Sequence, residues 1–155
     1  MVSPFDAKLV NPASLDLRLG LHLMVENIVD PELLRIDISD RTKDDPYWLQ
    51  PGEFCLAETL EIFNIPDDIS SQFVLKSSRA REGYGHLLAG WVDPGFNSSR
   101  LTLELKNERM HNPLPLYPGL KIGQMVFYNM SSVPTHSYRQ TGSYNGHLTV
   151  MPSVA

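Results

Sequence analysis

Apolar and polar residues alternate with a period of two through much of the chain. Leu15, Leu17, Leu19, Leu21 and Leu23 occupy every second position, the spacing that lines one face of a β-strand. The same period runs through Phe54–Phe63 and Leu101–Leu105, and shorter strand-like runs cover Gln72–Leu75, His86–Val92 and Leu120–Tyr128. Turn signals separate these runs: Pro51-Gly52, Asn64-Ile65-Pro66-Asp67-Asp68, Asp93-Pro94-Gly95 and Pro118-Gly119. Proline presets the first turn torsion and glycine accepts the left-handed one that follows. Leu49–Phe54 and Leu116–Lys121 each set a Pro-Gly turn before a strand, which suits a β-fold with related halves. Long amphipathic helices are hard to find. The pattern predicts an all-β sandwich or barrel, and no linker divides residues 1–155, so a single domain is expected.

The segment from 131 to 155 departs from this pattern, being polar, aromatic and glycine-containing (Ser131–Tyr138, then Gly142–His147). It reads either as a frayed, flexible terminus or as a tail that closes over a ligand.

Composition narrows the function. With 155 residues and 42% apolar content the chain can bury a real core. Its formal net charge of −5 is the wrong sign for a long nucleic-acid footprint, but a small anionic ligand needs only a local cluster of donors. Cys55 is the single cysteine, which rules out an intrachain disulfide and any metal site needing two thiolates, and points to a reducing compartment, the cytoplasm or a viral host's cytoplasm. Its alternating surroundings, Glu53–Ala57, make it a packed core thiol. The start, MVSPFDAKLV, has no basic flank followed by an apolar stretch, and no apolar run is long enough for a bilayer. Neither a signal peptide nor a membrane anchor is expected.

Three segments carry candidate chemistry. Lys76-Ser77-Ser78-Arg79-Ala80-Arg81 follows a short apolar strand and opens a helical turn, so its hydroxyls, cations and unpaired backbone N–H groups suit a phosphate cradle; a solvated basic turn has the same composition. Asp93 leaves a strand into a Pro-Gly turn, where an aspartate commonly caps the turn with its side chain. Glu104 shares a strand face with Thr102 and Lys106, opposite Leu101, Leu103 and Leu105. A carboxylate there is an ordinary surface group unless something buries it beside water and a substrate.

The order of these segments is more specific than any one of them. Asn11-Pro12-Ala13-Ser14-Leu15-Asp16-Leu17-Arg18-Leu19-Gly20, then Lys76–Arg81, His86–Phe96, Leu101–Glu104 and Pro118–Phe127, resemble the dCTP deaminase family of the trimeric dUTP diphosphatase superfamily. The resemblance spans most of residues 4–130. It implies a dUTPase-like, distorted β-barrel related to the jelly roll, with one or two short helical turns. It also implies a homotrimer with active sites between subunits, acting on dCTP and dUTP, with no nucleic-acid or membrane partner. Catalysis would be zinc-free, with Mg²⁺ carried by the triphosphate rather than by a protein metal site.

The resemblance also assigns roles. Glu104 matches the catalytic glutamate that takes a proton from water as it attacks C4 of the cytosine ring, and Arg81 the arginine beside that water. Lys76, Ser77 and Ser78, with Arg79 and Ala80, match the triphosphate-binding turn. Ala89, Thr102 and Leu103 fall at the nucleotide, Gln124 matches a nucleotide-contacting glutamine, and Tyr138 and His147 lie in the tail that would close over it. Asp93 matches the aspartate at the deoxyribose, which in bifunctional members also positions the water attacking the α-phosphorus. Gly90-Trp91 is closer to those bifunctional members, which carry dCTP through dUTP to dUMP.

The pattern departs at Lys76, usually arginine, and at Ser143-Tyr144-Asn145-Gly146-His147, where Lys-Tyr-Gln-Gly-Gln is usual. The stretch from Arg81 to His86 is one residue short, Asn97–Arg100 one residue long, and the N-terminal helix of bacterial members is missing. Besides deamination, two other functions fit: dUTP hydrolysis without deamination, for which Glu104 has no use, and nucleotide binding without catalysis, which the altered tail would suit.

Overall fold

The computed structural model describes residues 1–154. Eleven strands carry the architecture among them. These are β1 (Val2–Ser3), β2 (Leu15–Val25), β3 (Leu34–Asp37), β4 (Tyr47–Leu49), β5 (Phe54–Asn64), β6 (Ile69–Leu75), β7 (Tyr84–His86), β8 (Trp91–Val92), β9 (Asn97–Asn107), β10 (Leu114–Leu116) and β11 (Lys121–Asn129). Two short α-helices, α1 (Ser77–Glu82) and α2 (Tyr138–Thr141), and a single 3-10 turn at Ala7–Leu9 complete it. The main sheet runs β7-β9-β5-β2-β11-β6-β8, with β1 added to β5 and β3 to β2, while β10 and β4 form a separate pair. The alternating runs became strands because one face of each could enter a common core: Leu17, Leu19 and Leu23 of β2, Ala57 and Phe63 of β5, and Leu103 and Leu105 of β9 are all buried in it. Cys55 lies in the same core, where burial pushes its thiol up to about 12. No helix among the described residues is long and apolar enough to cross a membrane.

Two bulges bend the sheet. Three residues of β2, Gly20–His22, stand opposite Glu58 of β5, and three residues of β5, Thr59–Glu61, stand opposite Leu101 of β9. Such bulges kink a strand and leave backbone donors unpaired. Polar side chains at the same level take those donors. Glu58 accepts from Leu21 N at 3.2 Å and from His22 Nδ1 at 3.0 Å, and Thr59 Oγ1 accepts from Leu101 N at 3.0 Å. Glu61 binds both Arg18 N (3.0 Å) and Arg18 Nε (2.7 Å). Position 20 must be glycine, since a Cβ there would sit 2.5 Å from Glu58 Cγ.

The alternation predicted one strand over His86–Val92. Instead β7 ends at His86 on one edge of the sheet and β8 starts at Trp91 on the other. Five residue steps span at most about 17 Å, so the sheet curls until its edges nearly meet. The connecting residues 87–90 cannot stay extended at this crossing, and Leu88 takes a left-handed φ of 65°. Phe73 of β6 holds the seam together: its N donates to Gly90 O at 2.7 Å and its ring lies 4.8 Å from the His86 ring.

α1 is anchored at its first turn. Lys76 N donates to Ile122 O at 3.0 Å, and Lys76 Nζ reaches Asp16 Oδ1 at 2.6 Å. Asn11 Nδ2 donates to that oxygen at 2.8 Å, and Lys121 Nζ lies 3.4 Å from Asp16 Oδ2. Burial works against the charge on Asp16, but the hydrogen bonds from Lys76 and Asn11 and the Lys76 charge outweigh it, and the carboxyl titrates below its ordinary 3.8.

The segment after Met130 is laid along the free edge of β9. Arg100 N donates to His147 O at 2.8 Å, Gly146 N to Asn97 O at 3.2 Å, and Val150 N to the buried Glu58 Oε2 at 2.6 Å.

Two outcomes test this account. Gly90→Ala puts a Cβ 2.3 Å from Phe73 O, a backbone clash at the seam, and is expected to cost about 2 kcal/mol, read as a lower urea midpoint with an unchanged slope. A depressed carboxylate contributes stability above its unfolded value, and that contribution is lost as pH falls through the folded value. Asp16→Asn is therefore expected to be less stable than the parent at pH 7, with the gap closing towards pH 2–3 in urea unfolding followed across that range.

Candidate functional site

A cavity of about 490 Å³ opens where the curled sheet's edges approach each other. Its floor is the outward face of β9, from Arg100 to Glu104, with Leu56 of β5 beside it. Ala89, Trp91, Val92, Asp93 and Phe96 form one wall, and the tail residues Tyr138, Tyr144, His147 and Met151–Ser153 the other. Strand periodicity explains the floor, because inward-facing Leu103 and Leu105 leave Thr102 and Glu104 on the cavity side.

Glu104 is held opposite Leu56 by the β5–β9 register. Its Oε2 lies 3.3 Å from His86 Nε2 and is buried without a well-aligned hydrogen bond. The His86 side chain is only 5% exposed. A nearly buried imidazole beside a carboxylate with spare lone pairs is an arrangement that can hold a water and move its proton.

Asp93 stands at the mouth. The turn it enters is closed by its backbone, Phe96 N donating to Asp93 O at 3.2 Å, while its side-chain Oδ1 accepts from Trp91 Nε1 at 3.0 Å. The expected side-chain cap is thus replaced by an indole contact, which leaves Asp93 exposed at the cavity.

The tail wall is tied down at several points. Tyr138 N donates to Pro94 O at 2.8 Å, and the Tyr138 ring packs 5.9 Å from Phe96. Burial raises the Tyr138 phenol above its ordinary value. His147 N donates to Ser99 Oγ at 3.2 Å, and Met151 N to Thr102 Oγ1 at 3.4 Å.

The residues singled out from sequence fall into two groups within one subunit. Glu104, Asp93, Ala89, Thr102, Tyr138 and His147 line the cavity. Leu103 is on the same strand but turns into the core. Lys76, Ser77, Ser78, Arg79, Ala80 and Arg81 lie on or at the start of α1, and none lines the cavity. Arg79 pairs with Glu82 at 2.7 Å, whereas Arg81 is exposed and makes no ion pair among the described residues. Gln124 sits near this second group and accepts from Ser14 Oγ at 3.1 Å.

His86, Arg100 and Tyr144 were given no individual role by sequence reading. Arg100 NH1 donates to Thr59 O at 2.8 Å and its Nε to Leu148 O at 3.0 Å, joining the β5 bulge to the tail. His86 meets Glu104 only through the β7–β9 pairing, and local sequence contains no sign of that contact.

Among the described residues no group of three or more His, Cys, Asp and Glu side chains could hold a metal ion.

A family model described as dCTP deaminase-like matches residues 1–130. The dUMP-forming dCTP deaminase of Mycobacterium ulcerans (strain Agy99) is 40% identical over 164 residues, taking in 98% of this chain and 85% of that protein. Among solved structures, the 2'-deoxycytidine 5'-triphosphate deaminase of Agrobacterium tumefaciens superposes with a TM-score of 0.65 at 23% identity, over 81% of this chain and 41% of that one. The EIAV dUTPase superposes with a TM-score of 0.55 at 14% identity, over 88% and 94%. The fold is dUTPase-like, as expected from sequence. With the family model covering residues 1–130 and a 40% identical relative aligned along nearly the whole length, the chain belongs to the dCTP deaminase-like family.

Proposed function

We propose that this protein is an enzyme that hydrolyses dCTP to dUTP and ammonia and carries dUTP on to dUMP and diphosphate. The observation that carries the reading is Glu104, set in the floor of the cavity with an unpaired carboxylate oxygen 3.3 Å from buried His86. In the first step Glu104 takes a proton from water as the oxygen bonds to C4 of the pyrimidine. Glu104 passes that proton to the ring nitrogen N3, then carries the proton of the new C4 hydroxyl to the amino group, and the C4–N bond breaks so that ammonia leaves as the C4 carbonyl forms. His86 steadies the carboxylate, and the small side chain of Ala89 leaves room for the water. Thr102 and the backbone around Leu103 face the nucleotide, and Tyr138 and His147 cover it from the tail.

In the second step water attacks the α-phosphorus of dUTP, the bond to the bridging oxygen breaks, and diphosphate leaves. Asp93, exposed at the mouth and oriented by the Trp91 indole, is suited to position that water. Mg²⁺, bound to phosphate oxygens, would neutralise the charge of the triphosphate and of the leaving diphosphate.

The phosphates themselves would rest on Lys76, Ser77, Ser78, Arg79, Ala80 and Gln124. These residues and Arg81 lie away from the cavity of their own subunit, so the reading requires α1 of a neighbouring copy to meet Glu104. A homotrimer with shared sites would supply that meeting, and Arg81, exposed and without an ion pair among the described residues, is a cation suited to cross over. The tail is the part of the single domain that covers the nucleotide. A lone buried thiol suits the reducing cytoplasm.

Purified protein incubated with dCTP, dCMP or dUTP in Mg²⁺ is expected to release ammonia and dUMP from dCTP, with dCMP a poor substrate. Glu104→Gln keeps the shape but not the base, and is expected to lose deamination by about a thousandfold while still binding dCTP. Full activity in that variant would remove Glu104 from the mechanism. Separately, Glu104→Gln and Arg81→Ala, each inactive alone, are expected to regain activity when unfolded together and refolded as mixed oligomers. No recovery in mixtures shown to contain both chains would mean that the site is not shared.

A further inference from the structure

The first segment of the resemblance, Asn11–Gly20, takes no part in the chemistry above, yet it brings a buried carboxylate against the start of α1. Asp16 is 4% exposed and has three side-chain partners: Lys76 Nζ at 2.6 Å and Asn11 Nδ2 at 2.8 Å on one oxygen, Lys121 Nζ at 3.4 Å on the other. The two lysines come from different elements, one immediately before α1 and one at the start of β11. Both remain part-exposed, with side-chain exposures of 24% and 48%. One carboxylate between two ammonium groups leaves one unit of positive charge uncompensated. It also counters the mutual repulsion that would otherwise drive the lysines apart.

Lysine at position 76 needs such help. An ammonium group on a flexible four-carbon stem lacks the preformed fork of arginine, so its direction must be set by a neighbour. Buried Asp16 sets it, and an ammonium group with three donors can hold that bond and still donate to a phosphate. The residue just before β2 does the equivalent for Gln124. Ser14 Oγ donates to Gln124 Oε1 at 3.1 Å, which engages the amide oxygen and leaves the N–H groups to donate.

We propose that Asp16 is a positioning residue for the triphosphate: it presets Lys76 and Lys121 as a two-cation grip, and so makes the enzyme select for the length of the phosphate chain. This rests on the reading of Lys76–Arg81 as the phosphate-binding turn. Asp16 touches no reacting atom, so its removal alters binding of the phosphates and not the deamination step.

The test is steady-state kinetics and competitive inhibition on the full chain. Asp16→Asn keeps the shape and removes the charge, and is expected to raise KM for dCTP about tenfold with kcat within about twofold. The inhibition constant for inorganic triphosphate is expected to rise by a similar factor, while that for deoxycytidine stays put. Lys121→Gln, at a half-exposed position with little bearing on folding, is expected to shift KM in the same direction by about threefold. It decides the matter if Asp16→Asn fails to fold. KM for dCTP within twofold of the parent in the folded variants would overturn the proposal, as would a fall in kcat alone in step with the folded fraction, the mark of a packing role. If the parent itself fails to bind dCTP by calorimetry, the functional reading falls and this proposal falls with it. If the parent binds and the variants bind equally well, only this proposal falls.

Discussion

The chain leaves β7 at one edge of its sheet and enters β8 at the other only five residues later. That short span leaves the sheet no choice but to curl, and the curl needs strands that bend. The bulges at Gly20–His22 and Thr59–Glu61 supply the bends, and the buried Glu58, Thr59 and Glu61 take up the backbone donors that bending releases. A bulge without these side chains would leave buried N–H groups unpaired, each costing about 1–3 kcal/mol. The carboxylates inside this barrel are therefore explained by its shape. The cavity is explained by it too, because a sheet that nearly closes leaves a cleft along its seam.

Register passes this constraint on to the chemistry. The β5 bulge sets which residues of β9 face inward, and a slip of one position would exchange Glu104 with Leu103 or Leu105. The bulge thus fixes the face as well as the bend. Glu58 serves both sides of the sheet, accepting from Leu21 and His22 at the β2 bulge and from Val150 in the tail. The wall of the cavity that comes from the tail is in this way fastened to the residue that bends the floor.

Much of this was legible in the alternation. The runs at Leu15–Leu23, Phe54–Phe63 and Leu101–Leu105 became β2, β5 and β9, and the Pro-Gly turns at 51, 94 and 118 carry glycine φ angles of 76°, 90° and 82°. A period of two reports which residues share a face, and so it could propose Glu104 together with Thr102. It does not report which strands are neighbours. The break between His86 and Trp91 and the contact of His86 with Glu104 both depend on pairings between distant segments, which leave no local mark. The tail was ambiguous for a related reason. Polar, glycine-containing residues look alike whether they fray or dock, and only the free edge of β9 decides between the two.

The division of the sequence-derived residues into a cavity group and an α1 group follows from the same geometry. α1 follows β6 and leads into β7, at the seam, but its exposed cations stand outside the cleft on their own subunit. The cavity of about 490 Å³ is bounded by β9, the 89–96 wall and the tail, and no residue of α1 lines it. A ligand with an uncharged ring and a highly charged phosphate chain asks for two unlike surfaces. One is a half-buried carboxylate in a largely apolar cleft, which β9 offers; the other is a cationic turn open to solvent, which α1 offers. Building the two on separate faces keeps the cations of α1 out of the cleft that holds Glu104 within one subunit.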